Sequence, residues 1–329
     1  MFKDKTILVT GGTGSWGHEL VSQLLEKCPK EIRIFSRSES SQFAMKQEFN
    51  NNPLLHFIIG DIKERQELTE ACRGADYVFH LAALKHVPVC EEQPLEALKT
   101  NVHGTQNVID AAIVNKVKSV IYISTDKAAN PSNFYGLSKS MGERLIIHAN
   151  TLKTSTKFVC IRGGNVLGTN GSVVHIFKKQ IQEKGQIGIT DINMTRFFLT
   201  LKDAIKLVFK AVEDSIGGEI FVMKMQACKI VDLAYVLAEE AGKQDVEIEV
   251  IGLRPGEKIH ECLISEYEAG STITYDKAYY VILPSFHIPE LKEAYATFKP
   301  VEIESYSSSE RLMNRLEIKE ILKQGGFIQ

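Results

Sequence analysis

The 329-residue chain has no long apolar run, and none approaches the roughly 18 residues that a membrane-spanning helix needs. Its first residues, MFKDKTILVTGG, lack the pattern of a signal peptide. It also lacks a strong charge of either sign, because 39 Lys and Arg residues nearly balance 41 Asp and Glu residues. We therefore expect a soluble cytoplasmic protein with neither a membrane span nor a nucleic-acid surface.

Cysteine pairs of the kind that bind zinc are missing too. The six cysteines lie far apart and form no Cys-x-x-Cys, and several stand within apolar runs. Such cysteines are typical of small buried side chains in a reducing compartment. The spacing predicts no metal site.

The first half of the chain alternates short apolar segments with helical ones. Five segments predict strands: Thr6 to Thr10, Glu31 to Phe35, Leu55 to Ile59, Tyr77 to Leu81 and Val120 to Ile123. Such alternation over about 150 residues predicts an α/β fold with a doubly wound parallel sheet of the Rossmann type.

A glycine-rich turn follows the first predicted strand and precedes a predicted helix. Its glycines stand three residues apart, so a pyrophosphate could approach bare backbone N–H groups and the positive end of the helix dipole. In this position between strand and helix the signal is strong. The residues expected to bind the cofactor here are Gly11, Thr13, Gly14, Ser15, Trp16 and Gly17.

The end of the second strand favours NADP over NAD. Ser36 and Arg37 stand where an acidic residue would meet the ribose 2′-hydroxyl of NAD, and arginine suits a 2′-phosphate. Glu39 nearby keeps NAD open as the alternative. Further cofactor contacts are expected at the next strand ends, from Asp61, Ile62, Ala82, Ala83 and Lys85.

The strongest chemical signal is the segment VIYISTDKAANPSNFYGLSK. An apolar strand ends in Thr125, Asp126 and Lys127, and Tyr135 and Lys139 share one face of the helix predicted to follow. A Tyr-x-x-x-Lys spacing alone also occurs by chance on exposed helices. After a buried strand, however, these five side chains can converge and supply a proton donor, two bases and a cation able to lower the Tyr pKa.

The second half alternates less regularly. Residues 1–165 are expected to form the cofactor-binding domain with the catalytic residues. Residues 166–329 are expected to form mainly a substrate-binding α/β region, with some segments returning to the sheet. Further elements are predicted as helices over Leu95 to Val114, Lys202 to Val212, Ile230 to Ala241 and Arg311 to Lys323, and as a strand over Gly218 to Met223.

GGTGSWG, the pair Tyr135 and Lys139, and the chain length resemble the extended short-chain dehydrogenase/reductase superfamily. More narrowly, six blocks are similar to the UDP-N-acetylglucosamine 4,6-dehydratases, which include inverting 4,6-dehydratase/5-epimerases. The blocks are AALKHVP (Ala82 to Pro88), STDKAANPSNFYGLSK (Ser124 to Lys139), GNVLGTNGSVV (Gly164 to Val174), MTRFF (Met194 to Phe198), GGEIFV (Gly217 to Val222) and RPGEK (Arg254 to Lys258).

The resemblance implies a redox-neutral cycle on UDP-GlcNAc. Tyr135, held as phenolate by Lys139, would take the C4 hydroxyl proton while hydride passes to a tightly bound NADP⁺ that is regenerated in each cycle. Lys127 would remove the C5 proton, Asp126 would protonate the departing C6 hydroxyl, and Thr125 would bond near the C4 oxygen. Elimination beside a ketone requires such a base and acid.

The same resemblance implies a set of substrate contacts and a homo-oligomer. The expected substrate-binding residues are Lys85, His86, Asn165, Ser172, Val173, Thr195, Arg196, Arg254 and Glu257. Gly163 departs from the family pattern, because an aromatic residue is expected after Arg162. That departure bears on the pocket near the sugar, whereas Tyr135 favours inversion at C5, since many retaining relatives carry Met there.

Three alternatives stay open. A retaining 4,6-dehydratase would give the D-xylo product. A UDP-sugar 4-epimerase would need Tyr135 and Lys139 but no Asp-Lys pair. A non-catalytic NADP-binding sensor would bind the cofactor without turnover.

Overall fold

The computed structural model describes residues 1–169, 171–243 and 245–329, and within them it contains sixteen strands and thirteen α-helices. The strands are β1 Thr6–Thr10, β2 Glu31–Ser36, β3 Leu55–Ile59, β4 Tyr77–His80, β5 Ser119–Thr125, β6 Lys157–Gly163, β7 Asn165–Val166, β8 Gln186–Ile189, β9 Thr195–Leu199, β10 Ile220–Met223, β11 Gln226–Lys229, β12 Glu247–Val250, β13 Cys262–Ile264, β14 Thr272–Thr274, β15 Tyr279–Ile282 and β16 Tyr306–Ser307. The helices are α1 Ser15–Leu25, α2 Glu39–Glu48, α3 Arg65–Ala71, α4 Val87–Glu92, α5 Pro94–Leu98, α6 Gly104–Val114, α7 Phe134–Ala149, α8 Val173–Glu183, α9 Leu201–Asp214, α10 Ile230–Glu240, α11 Glu266–Ala269, α12 Pro289–Ala294 and α13 Arg315–Gln324.

Nine strands form the main sheet, in the order β14-β15-β10-β6-β5-β4-β1-β2-β3. The strands from β10 to β3 pair in parallel, and β15 pairs antiparallel with both of its neighbours, β10 and β14, so it alone runs against the other strands of this sheet. The chain order reverses beside β1, between β4 and β2, as it does in doubly wound sheets. The predicted doubly wound parallel sheet is confirmed.

The apolar side chains divide into two cores. The larger core surrounds the main sheet and its helices and includes the buried strands β1, β5 and β6. The smaller core lies among α8, β8, β9, α10 and α13, where Phe177, Ile187 and Leu237 are buried together. Three strands from beyond residue 165, namely β10, β14 and β15, nevertheless extend the main sheet.

The segment predicted as a helix over Leu95 to Val114 is helical throughout, as α5, a π-helical turn at Lys99–His103 and α6. The π-helical turn places Asn101 beside the loop after β4. There the Asn101 amide bonds both the N–H and the carbonyl of Leu84, at 2.8 and 2.9 Å. Single π-turns of this kind are frequent near functional sites.

Two other elements begin later than predicted. The strand expected from Gly218 begins at Ile220, because Gly217 and Gly218 have φ values of +114° and +101° that a strand does not accommodate. The last helix begins at Arg315 rather than Arg311, since Asn314 forms a capping box with Glu317. Within the described residues, no helix is long and apolar enough to cross a membrane.

Candidate active site

A cavity of about 800 Å³ extends along the carboxyl ends of the parallel strands. It gathers most of the predicted site, as expected for an open α/β sheet. The predicted site residues that line it are Gly11, Thr13, Gly14, Ser15, Trp16, Ser36, Arg37, Asp61, Ile62, Ala82, Ala83, Lys85, His86, Thr125, Lys127, Tyr135, Lys139, Asn165, Ser172, Val173, Arg196, Arg254 and Glu257. Asn170, part of the GNVLGTNGSVV block, lies outside the described residues.

The glycine turn after β1 leads directly into α1. Gly14 is the N-cap residue, no side chain caps the helix, and the first turn of α1 carries no acidic residue. Gly11 has φ +69°, and a Cβ there would stand 2.7 Å from the backbone of Ala82. The turn therefore offers bare backbone and the positive end of a helix to the cavity, which fits the pyrophosphate of a dinucleotide.

The end of β2 presents polar groups at one end of this cavity. The side-chain amide of Gln42 donates to the carbonyl and the hydroxyl of Ser36, both at 3.0 Å, and so fixes the strand end. Arg37 beside it is exposed and lines the cavity together with Ser38. A guanidinium flanked by two hydroxyls suits a phosphate group.

Two predicted contacts are corrected by the structure. Gly17 does not line the cavity, because it packs on the glycine turn itself, where a Cβ would lie 2.0 Å from the carbonyl oxygen of Gly12. Thr195 does not line it either. Its buried hydroxyl bonds Nδ1 of His260 at 2.8 Å and Oγ of Ser308 at 2.7 Å. Both residues shape the site from behind instead of meeting a ligand.

The strand end of β5 holds the predicted acid and base. The ammonium of Lys127 lies 2.9 Å from Oδ1 of Asp126, and the hydroxyl of Thr125 donates to the same oxygen at 2.9 Å. Asp126 is fully buried and does not line the cavity, whereas Thr125 and Lys127 do. Asp126 therefore lies directly behind the two side chains that face a ligand.

Tyr135 stands at the start of α7, whose N-cap residue Asn133 accepts from the N–H of Gly136 at 2.9 Å. Burial raises the pKa of the Tyr135 phenol to about 12, although the charge of Lys127 and the hydrogen bond that the phenol shares with Thr125 oppose that rise. Thr125 thus touches both the tyrosine and the Asp126 carboxylate, and it connects the two halves of the predicted chemistry.

The predicted role of Lys139 as the cation that holds Tyr135 ionised is not what the structure shows. The Lys139 ammonium donates to the carbonyl of Ile123 at 2.8 Å and lies 3.8 Å from the centre of the Tyr122 ring. Burial lowers the pKa of Lys139 to about 7. The cation that lowers the Tyr135 pKa is Lys127, because its charge is the one that reaches the phenol.

The second half of the chain contributes the opposite wall. Asn165 lies in β7, and Ser172 and Val173 form the start of α8, whose first turn has no acidic residue. Arg254 is exposed at the cavity mouth, and its N–H donates to the carboxylate of Glu257 at 3.3 Å. This wall joins a helix N-terminus with an exposed cation, both suited to a diphosphate.

Arg196 is engaged differently from the phosphate contact predicted for it. It is only 7% exposed, and its guanidinium donates to the carbonyls of Thr195, Ile259 and Lys258 at 2.7 to 3.0 Å. Its Nε also lies 3.7 Å from a carboxylate oxygen of Glu261. Most of its donors are therefore committed within the protein.

Gly163 does not shape the cavity near the sugar as expected. It is buried at the end of β6, and a Cβ built there would point to Sδ of Met223 at 3.1 Å. Gly163 is not among the cavity-lining residues. The departure from the family pattern therefore concerns packing against β10.

Glu261 is the site residue that the sequence analysis missed. It precedes β13, is 3% exposed, and places Oε1 3.5 Å from the ammonium of Lys127. The available signal was a carboxylate at the start of an apolar run, CLI, three residues after the end of the RPGEK block. An acidic residue in such a place needs a cation once it is buried.

The family model described as polysaccharide biosynthesis protein matches residues 7–283. The chain belongs to this family. The resemblance to extended short-chain dehydrogenase/reductases is thereby confirmed.

Two relatives and one solved structure illustrate the range of the family. A Campylobacter jejuni protein named UDP-N-acetylglucosamine 4,6-dehydratase (inverting) is 45% identical over 289 residues, which cover 87% of this chain and 84% of the relative. A Rickettsia felis protein named UDP-glucose 4-epimerase is 41% identical over 337 residues, covering 100% and 98%. The X-ray structure of Pen from Bacillus thuringiensis matches with a TM-score of 0.90 at 39% identity, covering 98% of this chain and 99% of that one.

Proposed function

We propose that the protein is an NADP-dependent UDP-N-acetylglucosamine 4,6-dehydratase that inverts C5. The observation that carries the proposal is the Asp126–Lys127 pair, with its 2.9 Å contact, beside Tyr135 at the wall of the cavity. Oxidation and reduction at C4 need a tyrosine, but expulsion of water across C5 and C6 needs an additional base and acid. The 45% identical relative carries the name of this inverting activity.

A dinucleotide held by the glycine turn and the end of β2 would supply hydride transfer, from C4 of the sugar at first and to C6 at the end. The chain itself moves the protons. Tyr135 takes the proton of the C4 hydroxyl as a phenolate, the form that the charge of Lys127 and the hydrogen bond with Thr125 favour. Once C4 is a ketone, the C5 proton becomes acidic enough for an amine to remove.

The pair Asp126 and Lys127 shares one proton. In the structure the proton belongs to Lys127, whose pKa is raised because the carboxylates of Asp126 and Glu261 outweigh the effect of burial. A shift of that proton across the 2.9 Å contact gives a neutral amine and a carboxylic acid without any exchange with solvent. The amine then takes the C5 proton. The acid gives its proton to the departing C6 hydroxyl through Thr125, which lines the cavity and donates a hydrogen bond to Asp126.

The chain also offers residues for the rest of the ligands. We propose that Arg37 meets the 2′-phosphate of NADP, and that the start of α8 with Arg254 and His86 meets the UDP diphosphate. The remaining lining residues that were expected to hold cofactor or substrate, apart from Arg196, keep those proposed roles. A homo-oligomer, a cytoplasmic location and a division near residue 165 stay predictions.

A second candidate is a UDP-sugar 4-epimerase, and a specific observation favours it. The relative named UDP-glucose 4-epimerase matches 100% of the chain. Such an enzyme would reverse C4 with Tyr135 and leave the sugar mass unchanged. The Asp126–Lys127 pair would then have no chemical role.

The test is incubation of the purified protein with UDP-GlcNAc in D₂O, with UDP-glucose in parallel, and with NADP or NAD added. Mass spectrometry and ¹H NMR would follow the products over time. We expect loss of one water from UDP-GlcNAc, deuterium at C5 and couplings of the L-arabino 4-keto sugar, with NADP the better cofactor. A D-xylo product would indicate retention. A C4 epimer of unchanged mass would favour the epimerase, and an untouched substrate would overturn both.

A further inference from the structure

Glu261 lies beside the proposed base although it is far from it in the chain. Its carboxylate is buried, and its backbone is fixed by Ser308: the Glu261 N–H donates to Oγ of Ser308 at 2.9 Å, and the Ser308 N–H donates to the Glu261 carbonyl at 2.8 Å. The carboxylate Oε1 then lies 3.5 Å from the Lys127 ammonium. Glu261 does not line the cavity, so it acts on a ligand only through its cavity-lining neighbours, Lys127 at 3.5 Å and Arg196 at 3.7 Å.

Among the described residues, a small group of charged side chains surrounds Lys127. Asp126 and Glu261 are the two carboxylates that contact it. Arg196 balances Glu261 at 3.7 Å and is itself 3.8 Å from Glu257. From α7 the group that faces Lys127 is the phenol of Tyr135.

Each of the two carboxylates also has an oxygen without a hydrogen bond. Oδ2 of Asp126 and Oε2 of Glu261 are buried and find no hydrogen-bond partner among the residues that the structure describes. Glu261 therefore interacts with its surroundings mainly by charge. Its Oε1 lies 3.5 Å from the ammonium of Lys127 and 3.7 Å from the guanidinium of Arg196, in a buried setting where such interactions are strong.

We propose that Glu261 is a positioning residue that holds Lys127 toward the substrate and stabilises the positive charge that develops on it as it takes the C5 proton. This proposal rests on the dehydratase function. In the elimination step the C5–H bond breaks and an N–H bond forms on Lys127. The C5 electron pair forms the C5–C6 double bond, and the C6–O bond breaks. The oxygen leaves as water with the proton that Asp126 gives up.

The charge on Lys127 thus rises from zero to one while Glu261 stays negative. Relative to the neutral amine from which this step starts, a fixed carboxylate at this place favours the ammonium that forms, so it makes transfer of the C5 proton to Lys127 more favourable. The carboxylate of a serine-protease triad acts in the same way on its imidazole.

Glu261 also affects the pH dependence. Burial lowers the pKa of Lys127, but Asp126 first and Glu261 second raise it, and Arg196 lowers it. Without the Glu261 charge the pKa of Lys127 falls. Above that pKa the pair no longer holds its shared proton, and the acid is lost. The alkaline limb of the dehydration rate therefore moves to lower pH in a variant that lacks this charge.

The test compares Glu261→Gln and Glu261→Asp with wild type and with Glu302→Gln, a change at an exposed glutamate. Two rates are measured in single turnovers with UDP-GlcNAc: formation of reduced cofactor, which reports C4 oxidation, and loss of water. For Glu261→Gln we expect water loss to slow by roughly 10- to 100-fold, the effect of removing one partner from a buried charged pair. The rate of C4 oxidation should stay within about 2-fold of the wild-type rate, so reduced cofactor accumulates.

Glu261→Asp keeps the charge but withdraws it by one methylene, and a smaller loss confined to dehydration is expected. Thermal unfolding checks that each variant is folded; if Glu261→Gln does not fold, the Asp variant decides alone. Equal losses in both rates, or none in either, would overturn the proposal. If wild type itself oxidises the substrate but never releases water, the dehydratase function fails and not the placement of Glu261.

Discussion

The two lysines of the candidate site experience opposite environments within one cavity wall. Lys127 lies between the carboxylates of Asp126 and Glu261, and its pKa is raised above the ordinary value. Lys139 has a carbonyl and an aromatic ring as its nearest partners, and burial lowers its pKa to about 7. Burial disfavours the charge on both lysines, so the nature of the neighbours decides the direction of the shift.

This difference suits the two halves of the proposed reaction. Lys139, whose pKa is about 7, can be charged or neutral near neutral pH. Lys127 keeps its proton because two carboxylates contact it. It can transfer that proton to Asp126 and then take a second proton from C5. The same residue type thus performs two tasks because the strand end of β5 and the face of α7 surround it differently.

Replacement of Lys127 should give the largest difference between the surroundings of Lys127 and those of Lys139. Lys127→Met takes away the base but leaves Lys139 and the phenol in place. We expect dehydration of UDP-GlcNAc to fall by roughly 10²- to 10⁴-fold, the usual contribution of a general base. C4 oxidation, followed as reduced cofactor in a single turnover, should slow much less, because for this step the loss of the Lys127 charge only raises the pKa of Tyr135 further. The control is Lys46→Met at an exposed position on α2. Equal loss of both steps would contradict the division of roles.

The depressed pKa of Lys139 predicts a pH-dependent stability. Between about pH 7 and its ordinary pKa of 10.5, the unfolded chain binds a proton at this residue that the folded protein does not bind. Stability therefore falls as pH drops through this window and changes no further below it. Urea unfolding of the cofactor-free protein should show wild type losing on the order of a few kcal/mol relative to Lys139→Met between pH 10 and pH 7. A difference that does not vary with pH would refute the assignment.

Thr125→Val should have the smallest effect of the three changes. It removes only the hydroxyl that connects Asp126 with Tyr135, and both lysines stay in place. Valine keeps the shape but removes the hydroxyl that donates to Asp126 and contacts the Tyr135 phenol. We expect dehydration to slow by about 10-fold, as for loss of one buried hydrogen bond. The limb of the pH–rate profile that reports ionisation of Tyr135 should move to higher pH, since Thr125 lowers the phenol pKa. Thr125→Ser restores the hydroxyl and should recover both properties.

Local patterns in the sequence predicted the first half of the fold closely. The strands β1 and β3 begin and end at the predicted residues, because turns and polar residues bound their apolar runs. The residues of the glycine turn and of the segment from Thr125 to Lys139 also meet at the cavity, since parallel strands bring their carboxyl ends to one edge.

The missed or corrected parts depend on contacts between distant segments. Arg196 was predicted to meet phosphate, but carbonyls of the segment before β13 occupy its donors. Glu261 reaches Lys127 only because Ser308 holds its backbone. The partners of Lys139 come from β5 and could not be read from a Tyr-x-x-x-Lys spacing. Charge pairing of this kind leaves little trace in local sequence.

The most direct measurement is an NMR titration of the cofactor-free protein with ¹³C-labelled lysine, in which Lys127→Met and Lys139→Met assign the two signals. The account predicts that the Lys139 signal titrates at about pH 7 and that the Lys127 signal keeps its charged position up to and beyond pH 10.5. If both lysines titrated together near 10.5, or if Lys127 lost its proton first, the contrast between the two regions would be contradicted.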